Sequence, residues 1–99
     1  MKTLDTIHHI AINVADLKAA LNWYTTSYAC EVQYQDLQRA VLQFENVKLT
    51  LVLPSQEPAH LAFVREDASA LGELQERREG WRSTFLSDPT GNIIEIVEK

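Results

Sequence analysis

The sequence predicts an α+β fold built from two copies of a β-α-β module, and three observations support this. The segment His9–Ile12 recurs 51 positions later as His60–Phe63. An aspartate lies seven residues after each of these histidines, Asp16 in the first copy and Asp67 in the second. Apolar residues at helical spacing follow each aspartate, and aspartate caps helices by accepting hydrogen bonds from the first free backbone amides. The repeat therefore predicts the same three elements in each copy, namely a strand, a helix cap and a helix.

The first strand has two different faces, because successive side chains in a strand point in opposite directions. One face is apolar and suits packing against a helix, and it carries Ile10, Ile12 and Val14. The opposite face carries His9, Ala11 and Asn13. This arrangement indicates one buried apolar side and one side that is available for a polar site.

The rest of the first module is predicted as one helix and three strands. The helix begins after Asp16 and places four residues on one face, Leu17, Leu21, Tyr24 and Tyr28. The strands follow at Glu31–Asp36, Ala40–Glu45 and Val47–Leu53, with a tight turn at Glu45-Asn46. The only candidate linker is Pro54–Pro58, so the modules are expected at about residues 1–55 and 56–99 of a single domain.

The second module is predicted with a long helix and only two later strands. Its helix is expected to begin at Asp67, to place Ala70, Leu71 and Leu74 on one face, and to end at Gly80. The acidic and basic residues from Glu73 to Glu79 are expected to form its solvated face. The strands are expected at Trp81–Leu86 and Ile93–Glu98, joined by a turn over Asp88–Asn92 in which proline and glycine favour chain reversal. This module is therefore shorter than the first.

Ligand-type side chains fall on the faces that point away from the predicted helices. By strand parity His60 lies opposite Leu61 and Phe63, and Glu95 lies opposite Ile94 and Ile96. Two curved, mixed and mostly antiparallel sheets of this kind would enclose a polar cleft. His8 lies on the helix side by the same parity, and we interpret it as a structural or solvated residue.

Composition excludes several classes of protein. The chain has 99 residues, of which 45% are hydrophobic and 23% charged, as in an ordinary globular domain. The net charge of −5 and the absence of a basic stripe argue against nucleic-acid or anionic-membrane binding. A single cysteine, Cys30, and no apolar stretch of signal-peptide or membrane-spanning type make the cytoplasm the expected location.

Two segments resemble the glyoxalase, bleomycin-resistance and extradiol-dioxygenase group, the vicinal-oxygen-chelate superfamily. The opening segment His9–Leu17 followed by Trp23-Tyr24 is similar to the start of that family's module, and Phe85–Glu95 is similar to its closing segment. The resemblance implies paired βαβββ modules, here with the second one shortened. It also implies a divalent metal in the cleft, chelated by adjacent oxygens of a small molecule.

Carried over residue by residue, the resemblance assigns three metal ligands, His9, His60 and Glu95. The fourth family position falls on Thr50, which is not a usual ligand, when Val47–Val52 is aligned with Asn92–Val97. Two imidazoles and one carboxylate suit Fe, Mn, Zn or Ni and leave coordination positions open for a substrate. The cleft-lining candidates are Thr50, Gln33, Gln43 and Ser83, the last of which matches a ligand-binding position in some relatives. No catalytic base is predicted.

The resemblance leaves three functions open. The first is a metal-dependent enzyme, namely a dioxygenase, lyase or thiol transferase, acting on a small oxygen-rich molecule. The isomerase type of chemistry is disfavoured, because one of its two metal-bound glutamates is replaced by Thr50. The second is a metal-free small-molecule binding protein of the bleomycin-resistance kind, and the third is a remnant with a structural role. A homodimer is expected, because exposed sheet edges need covering, and the modules pair either within one chain or by exchange between two.

Overall fold

The computed structural model describes residues 3–99, which form two compact units. The N-terminal module is residues 9–59, and the C-terminal module is residues 60–99 together with the start of the chain up to His8. The strand β1 runs over Thr6–Asn13 and is followed by α1 (Leu17–Ser27), β2 (Glu31–Gln35), β3 (Arg39–Gln43) and β4 (Lys48–Val52). The second βαβββ series is β5 (His60–Arg65), α2 (Ala68–Leu71), β6 (Gln75–Glu76), β7 (Arg82–Ser87) and β8 (Ile93–Glu98). The predicted α+β class is confirmed.

Helix α1 forms as its sequence predicts. The Asp16 carboxylate accepts a hydrogen bond from the Ala19 amide at 3.0 Å, which satisfies one of the free donors of the first turn. Leu17 is buried, and Leu21 and Tyr24 pack against the same core. Tyr28 lies at the C-cap and is exposed. The side of the sheet that contacts α1 supplies the rest of this core, chiefly Ile12, Val14, Ala40, Leu42, Leu49 and Leu51.

Both modules use the same strand register. In the N-terminal module the order is β2-β3-β4-β1, and β1 pairs in parallel with β4 so that Ala11 faces Thr50. In the C-terminal module the order is β5-β8-β7-β6, and β5 pairs in parallel with β8 so that Ala62 faces Glu95. Since Ala11 and Ala62 are equivalent in the repeat, Thr50 and Glu95 occupy equivalent positions, as the sequence alignment predicted.

The prediction for the second helix is wrong in length. Helix α2 covers only Ala68–Leu71 and ends at Gly72, not at Gly80. The Asp67 side chain makes no capping hydrogen bond. Its two oxygens accept instead from the Arg65 guanidinium at 2.8 and 3.0 Å, and this hydrogen bonding lowers the pKa of Asp67. A helix without its cap loses a stabilising contact at its first turn, which removes one reason for it to continue.

The segment after α2 forms a third strand, so the prediction of only two strands is also wrong. Gln75–Glu76 pairs antiparallel with Arg82–Ser83. Gly72 allows this close return, because a Cβ there would lie 2.4 Å from the Thr84 hydroxyl oxygen. Residues 73–79 are therefore not a solvated helix face. Within the described residues, neither helix is long and apolar enough to cross a membrane.

Candidate metal centre

Glu95 is the centre of a buried hydrogen-bond network in the C-terminal module. It projects from β8 on the face opposite Ile94 and Ile96, and it is 2% exposed. Its Oε1 lies 2.9 Å from His60 Nε2 on β5. Its Oε2 accepts hydrogen bonds from the Ser83 hydroxyl at 2.6 Å and from the Trp81 indole at 3.1 Å. The carboxylate plane is therefore fixed from several sides, and one oxygen is directed at the imidazole.

The register of the strands explains why His60 and Glu95 meet. Glu95 lies beside Ala62, and His60 is two positions earlier on the same face of β5, so the two side chains are diagonal neighbours. The small Ala62 side chain leaves room for this diagonal contact. The edge of the His60 ring also packs on Phe85, with ring centroids 5.2 Å apart. Both polar groups are buried in contact with a partner, as buried polar groups require.

Arg77 supports Ser83 from the turn that follows β6. Its Nε donates to the Ser83 hydroxyl at 2.8 Å, and another guanidinium nitrogen donates to the Ser83 carbonyl oxygen at 3.1 Å. The guanidinium also lies 4.8 Å from the centre of the Phe85 ring, within cation–π range. The Ser83 hydroxyl thus accepts a hydrogen bond from Arg77 and donates one to Glu95. Such outer contacts orient a carboxylate that binds a metal.

The donor set of this pair fits a divalent metal. Imidazole nitrogen together with carboxylate oxygen is a common set for Fe, Mn, Zn and Ni. Two donor atoms about 2.1 Å from one metal, at right angles to each other, lie about 3 Å apart. The observed 2.9 Å between His60 Nε2 and Glu95 Oε1 matches that spacing. One metal could therefore be bound by both atoms without a large movement of either side chain.

The N-terminal module carries the other predicted residues, each on its own strand. We call the face of its sheet opposite α1 the inner face. His9 on β1 and Thr50 on β4 are each 1% exposed and lie on that face. Gln43 on β3 is half-buried there, and its side-chain amide donates to the Phe44 carbonyl oxygen at 2.5 Å. Gln33 is exposed and lies at an irregularity in the pairing of β2 with β3.

Sequence reasoning did not identify Trp81 and Arg77 as parts of this network. The sequence places Trp81 in a strand and Arg77 on a solvated helix face, and it assigns neither to the site. The ring of Trp81 also contacts His8, with centroids 4.7 Å apart in an edge-to-face arrangement. The sequence does show a tryptophan and an arginine close to the strands that end the module, which is the available signal for their part in the network. Their contacts depend on β6, however, and the sequence did not reveal that strand.

No protein-family model matches the sequence, and the comparison with curated proteins finds no match. Solved structures do match. A methylmalonyl-CoA epimerase in complex with methylmalonyl-CoA and NH4+ is 22% identical, with 98% of this chain and 96% of that chain covered at a TM-score of 0.75. A glyoxalase/bleomycin resistance protein/dioxygenase superfamily member from Vibrio splendidus 12B01 is 11% identical, with 97% of this chain and 100% of that chain covered at a TM-score of 0.72. A lactoylglutathione lyase from Agrobacterium tumefaciens is 21% identical, with 97% of this chain and 95% of that chain covered at a TM-score of 0.51.

The TM-scores establish likeness of fold, which agrees with the βαβββ modules and with the resemblance in the opening and closing segments. The matches cover nearly the whole length of this chain and of each neighbour. The chain therefore has the fold of the vicinal-oxygen-chelate superfamily.

Proposed function

We propose that the protein is a divalent-metal-dependent enzyme that acts on a small, oxygen-rich molecule, with His9, His60 and Glu95 as its metal ligands. The observation that carries the proposal is the buried pair of His60 and Glu95, whose facing atoms are separated by 2.9 Å. Ser83 and Trp81 hold the remaining oxygen of Glu95. Hydrogen bonds of this kind orient a carboxylate that binds a metal.

His9 completes the proposed set through the internal repeat. It occupies in β1 the position that His60 occupies in β5, and it is equally buried. A homodimer is part of the proposal, so His9 joins the pair either from the same chain or from a second copy. A bound metal would supply Lewis-acid polarisation of a substrate oxygen. The chain's own residues would bind the metal, orient the carboxylate and exclude water.

The neighbouring structures support this class of substrate without identifying the substrate. The epimerase structures contain methylmalonyl-CoA or 2-nitronate-propionyl-CoA. Both ligands carry several oxygens near the acyl group, and we propose that this protein also binds a small molecule of that general kind. The reaction that we propose is metal-assisted chemistry on an oxygen-bearing group.

A second function is favoured by one feature of the same pair. With a proton on Nε2, His60 donates directly to Glu95, so both groups are satisfied without a metal. A metal-free binding protein of the bleomycin-resistance kind would have this arrangement. Metal content separates the two functions, and ligand-induced thermal stabilisation of metal-free protein would identify the binding protein.

The first test is metal analysis of purified protein after loading with Fe(II), Mn(II), Zn(II) or Ni(II). We expect about one metal per chain in the wild type and loss of metal in His9→Ala and in a His60→Ala/Glu95→Ala variant. Glu98→Gln is the matched control, because it removes a surface glutamate from the strand that carries Glu95. No metal in the wild type would contradict the enzyme proposal.

Mixing two variants that cannot bind metal alone decides whether His9 joins the pair from the same chain or from a second copy. Each site of an exchanged dimer combines His9 of one chain with His60 and Glu95 of the other. Co-expressed His9→Ala and Glu95→Ala chains would then rebuild one intact site per mixed dimer. Sites formed within one chain would stay without metal in the same mixture. Sedimentation of the wild type establishes whether a dimer exists at all.

A further inference from the structure

Thr50 is a buried hydroxyl that the protein itself leaves unsatisfied. Its residue is 1% exposed, and its Oγ1 has no hydrogen-bond partner within residues 3–99. A buried polar group without a partner costs stability, and most such groups in folded proteins are paired. From this atom and its surroundings we infer that Thr50 Oγ1 donates a hydrogen bond to an oxygen of an anionic ligand on the inner face, beside His9.

The strand register explains why no protein group satisfies this hydroxyl. The residues that directly flank Thr50 on the inner face are Ala11 on β1 and Val41 on β3. Neither has a side-chain acceptor or donor. Two amide side chains of the same face are directed to backbone carbonyls, since Asn13 donates to the Val52 and Glu57 oxygens and Gln43 donates to the Phe44 oxygen.

Comparison with the C-terminal module indicates that a ligand atom fits beside Thr50. His9 and Thr50 are diagonal neighbours across Ala11, as His60 and Glu95 are across Ala62. Glutamate spans that diagonal, and its oxygen lies 2.9 Å from the imidazole. The threonine hydroxyl ends one bond beyond Cβ, whereas the glutamate oxygens end three bonds beyond it. A ligand oxygen can therefore lie between the hydroxyl and His9.

The charge of the proposed site favours an anion. This step rests on the proposed function. Two neutral imidazoles and one carboxylate leave a divalent metal with a net charge of about +1, because Thr50 adds none. An uncompensated charge in a buried site is costly. A negatively charged oxygen ligand would offset that charge and would accept the hydrogen bond from Thr50.

The test uses oxalate as the anionic probe and neutral oxamide as its matched control. Isothermal titration is run on wild type, Thr50→Val and Thr50→Ser, each loaded with Mn(II) and each also treated with EDTA. We expect wild type and Thr50→Ser to bind oxalate alike and much more tightly than oxamide. Thr50→Val should bind Mn(II) as wild type does and oxalate about tenfold more weakly, since a hydrogen bond to a charged group is lost. Its Tm without ligand should be equal or higher.

Failure of this inference is distinguishable from failure of the proposed function. Wild type that binds no Mn(II) contradicts the metal site, and the EDTA-treated samples then decide the role of Thr50. A weaker affinity for oxalate in Thr50→Val than in Thr50→Ser supports the inference in either sample. Equal oxalate affinity in wild type and Thr50→Val overturns it, and so does absence of oxalate binding in every sample.

Discussion

The two modules place different side chains at one equivalent position, Thr50 in β4 and Glu95 in β8. The glutamate forms hydrogen bonds with His60, Ser83 and Trp81. The threonine has no hydrogen-bond partner within residues 3–99. The two modules have similar folds, but the side chain at this position has hydrogen-bond partners in one module and none in the other within the described residues. In our proposal, the C-terminal module fixes the carboxylate that binds the metal, and the N-terminal module leaves a hydroxyl donor for a bound molecule.

The largest expected effect comes from removing Glu95. Glu95→Ala takes away the acceptor for Ser83 and Trp81 and the partner of His60, so three side chains each lose a hydrogen bond around a buried position. We expect the free energy of unfolding to fall by about 3 kcal/mol. Thr50→Val removes a hydroxyl that has no partner, and it should change that free energy by less than about 1 kcal/mol, in the stabilising direction.

Urea unfolding of both variants in the presence of EDTA measures this contrast without any contribution from metal. Glu98→Gln, which alters an exposed ion pair with Arg82 on the same strand, serves as the control. Equal midpoints for Glu95→Ala and Thr50→Val would mean that the two positions are energetically alike, and the comparison of the modules would then fail.

A smaller effect is expected from Ser83, which acts on Glu95 and does not itself bind the metal in our proposal. Ser83→Ala removes the 2.6 Å hydrogen bond to Glu95 Oε2 but leaves His60 in place. Loss of such an outer contact lowers metal affinity about 10- to 100-fold. Competition with a metal-binding dye measures this affinity. Ser87→Ala, an exposed serine of the same strand, should bind metal as wild type does.

The first module and the strand faces of the proposed ligands could be predicted from the sequence because they depend on short-range patterns. Strand parity placed His9, His60 and Glu95 on the faces away from the helices, and Asp16 identified the start of α1. The register of Ala11 with Thr50 and of Ala62 with Glu95 confirms the alignment of the two closing strands. Each of these inferences needed only spacing along one strand or one helix.

The second module was predicted less well because tertiary contacts override its local pattern. The Asp67 carboxylate hydrogen-bonds Arg65 instead of capping α2. Gln75–Glu76 has the composition of a helix surface, but it pairs with the open edge of β7. The contacts of Arg77 and Trp81 with the Glu95 network follow from that pairing. A single sequence does not reveal a strand of two residues or the partner of a charged side chain.

The last and smallest effect concerns the turns that precede the closing strands. The N-terminal module uses the short turn at Glu45-Asn46, whereas the C-terminal module uses a loop organised by Asp88. The Asp88 carboxylate accepts hydrogen bonds from the side chain and backbone of Asn92 and from Thr90. The bonds from Asn92, with a smaller contribution from Thr90, lower the pKa of Asp88 from 3.8 to about 2.

A lowered pKa in the folded state means that protonation of Asp88 favours unfolding. The stabilising contribution of Asp88 is therefore complete above pH 3.8 and is lost as the pH falls towards 2. Urea midpoints between pH 5 and pH 2 should fall less steeply in Asp88→Asn than in wild type. Asn92→Ala should move the pKa of Asp88 towards its ordinary value, as measured by NMR titration of the carboxyl carbon. An Asp88 pKa that stays low in Asn92→Ala would show that the loop is organised by contacts other than these.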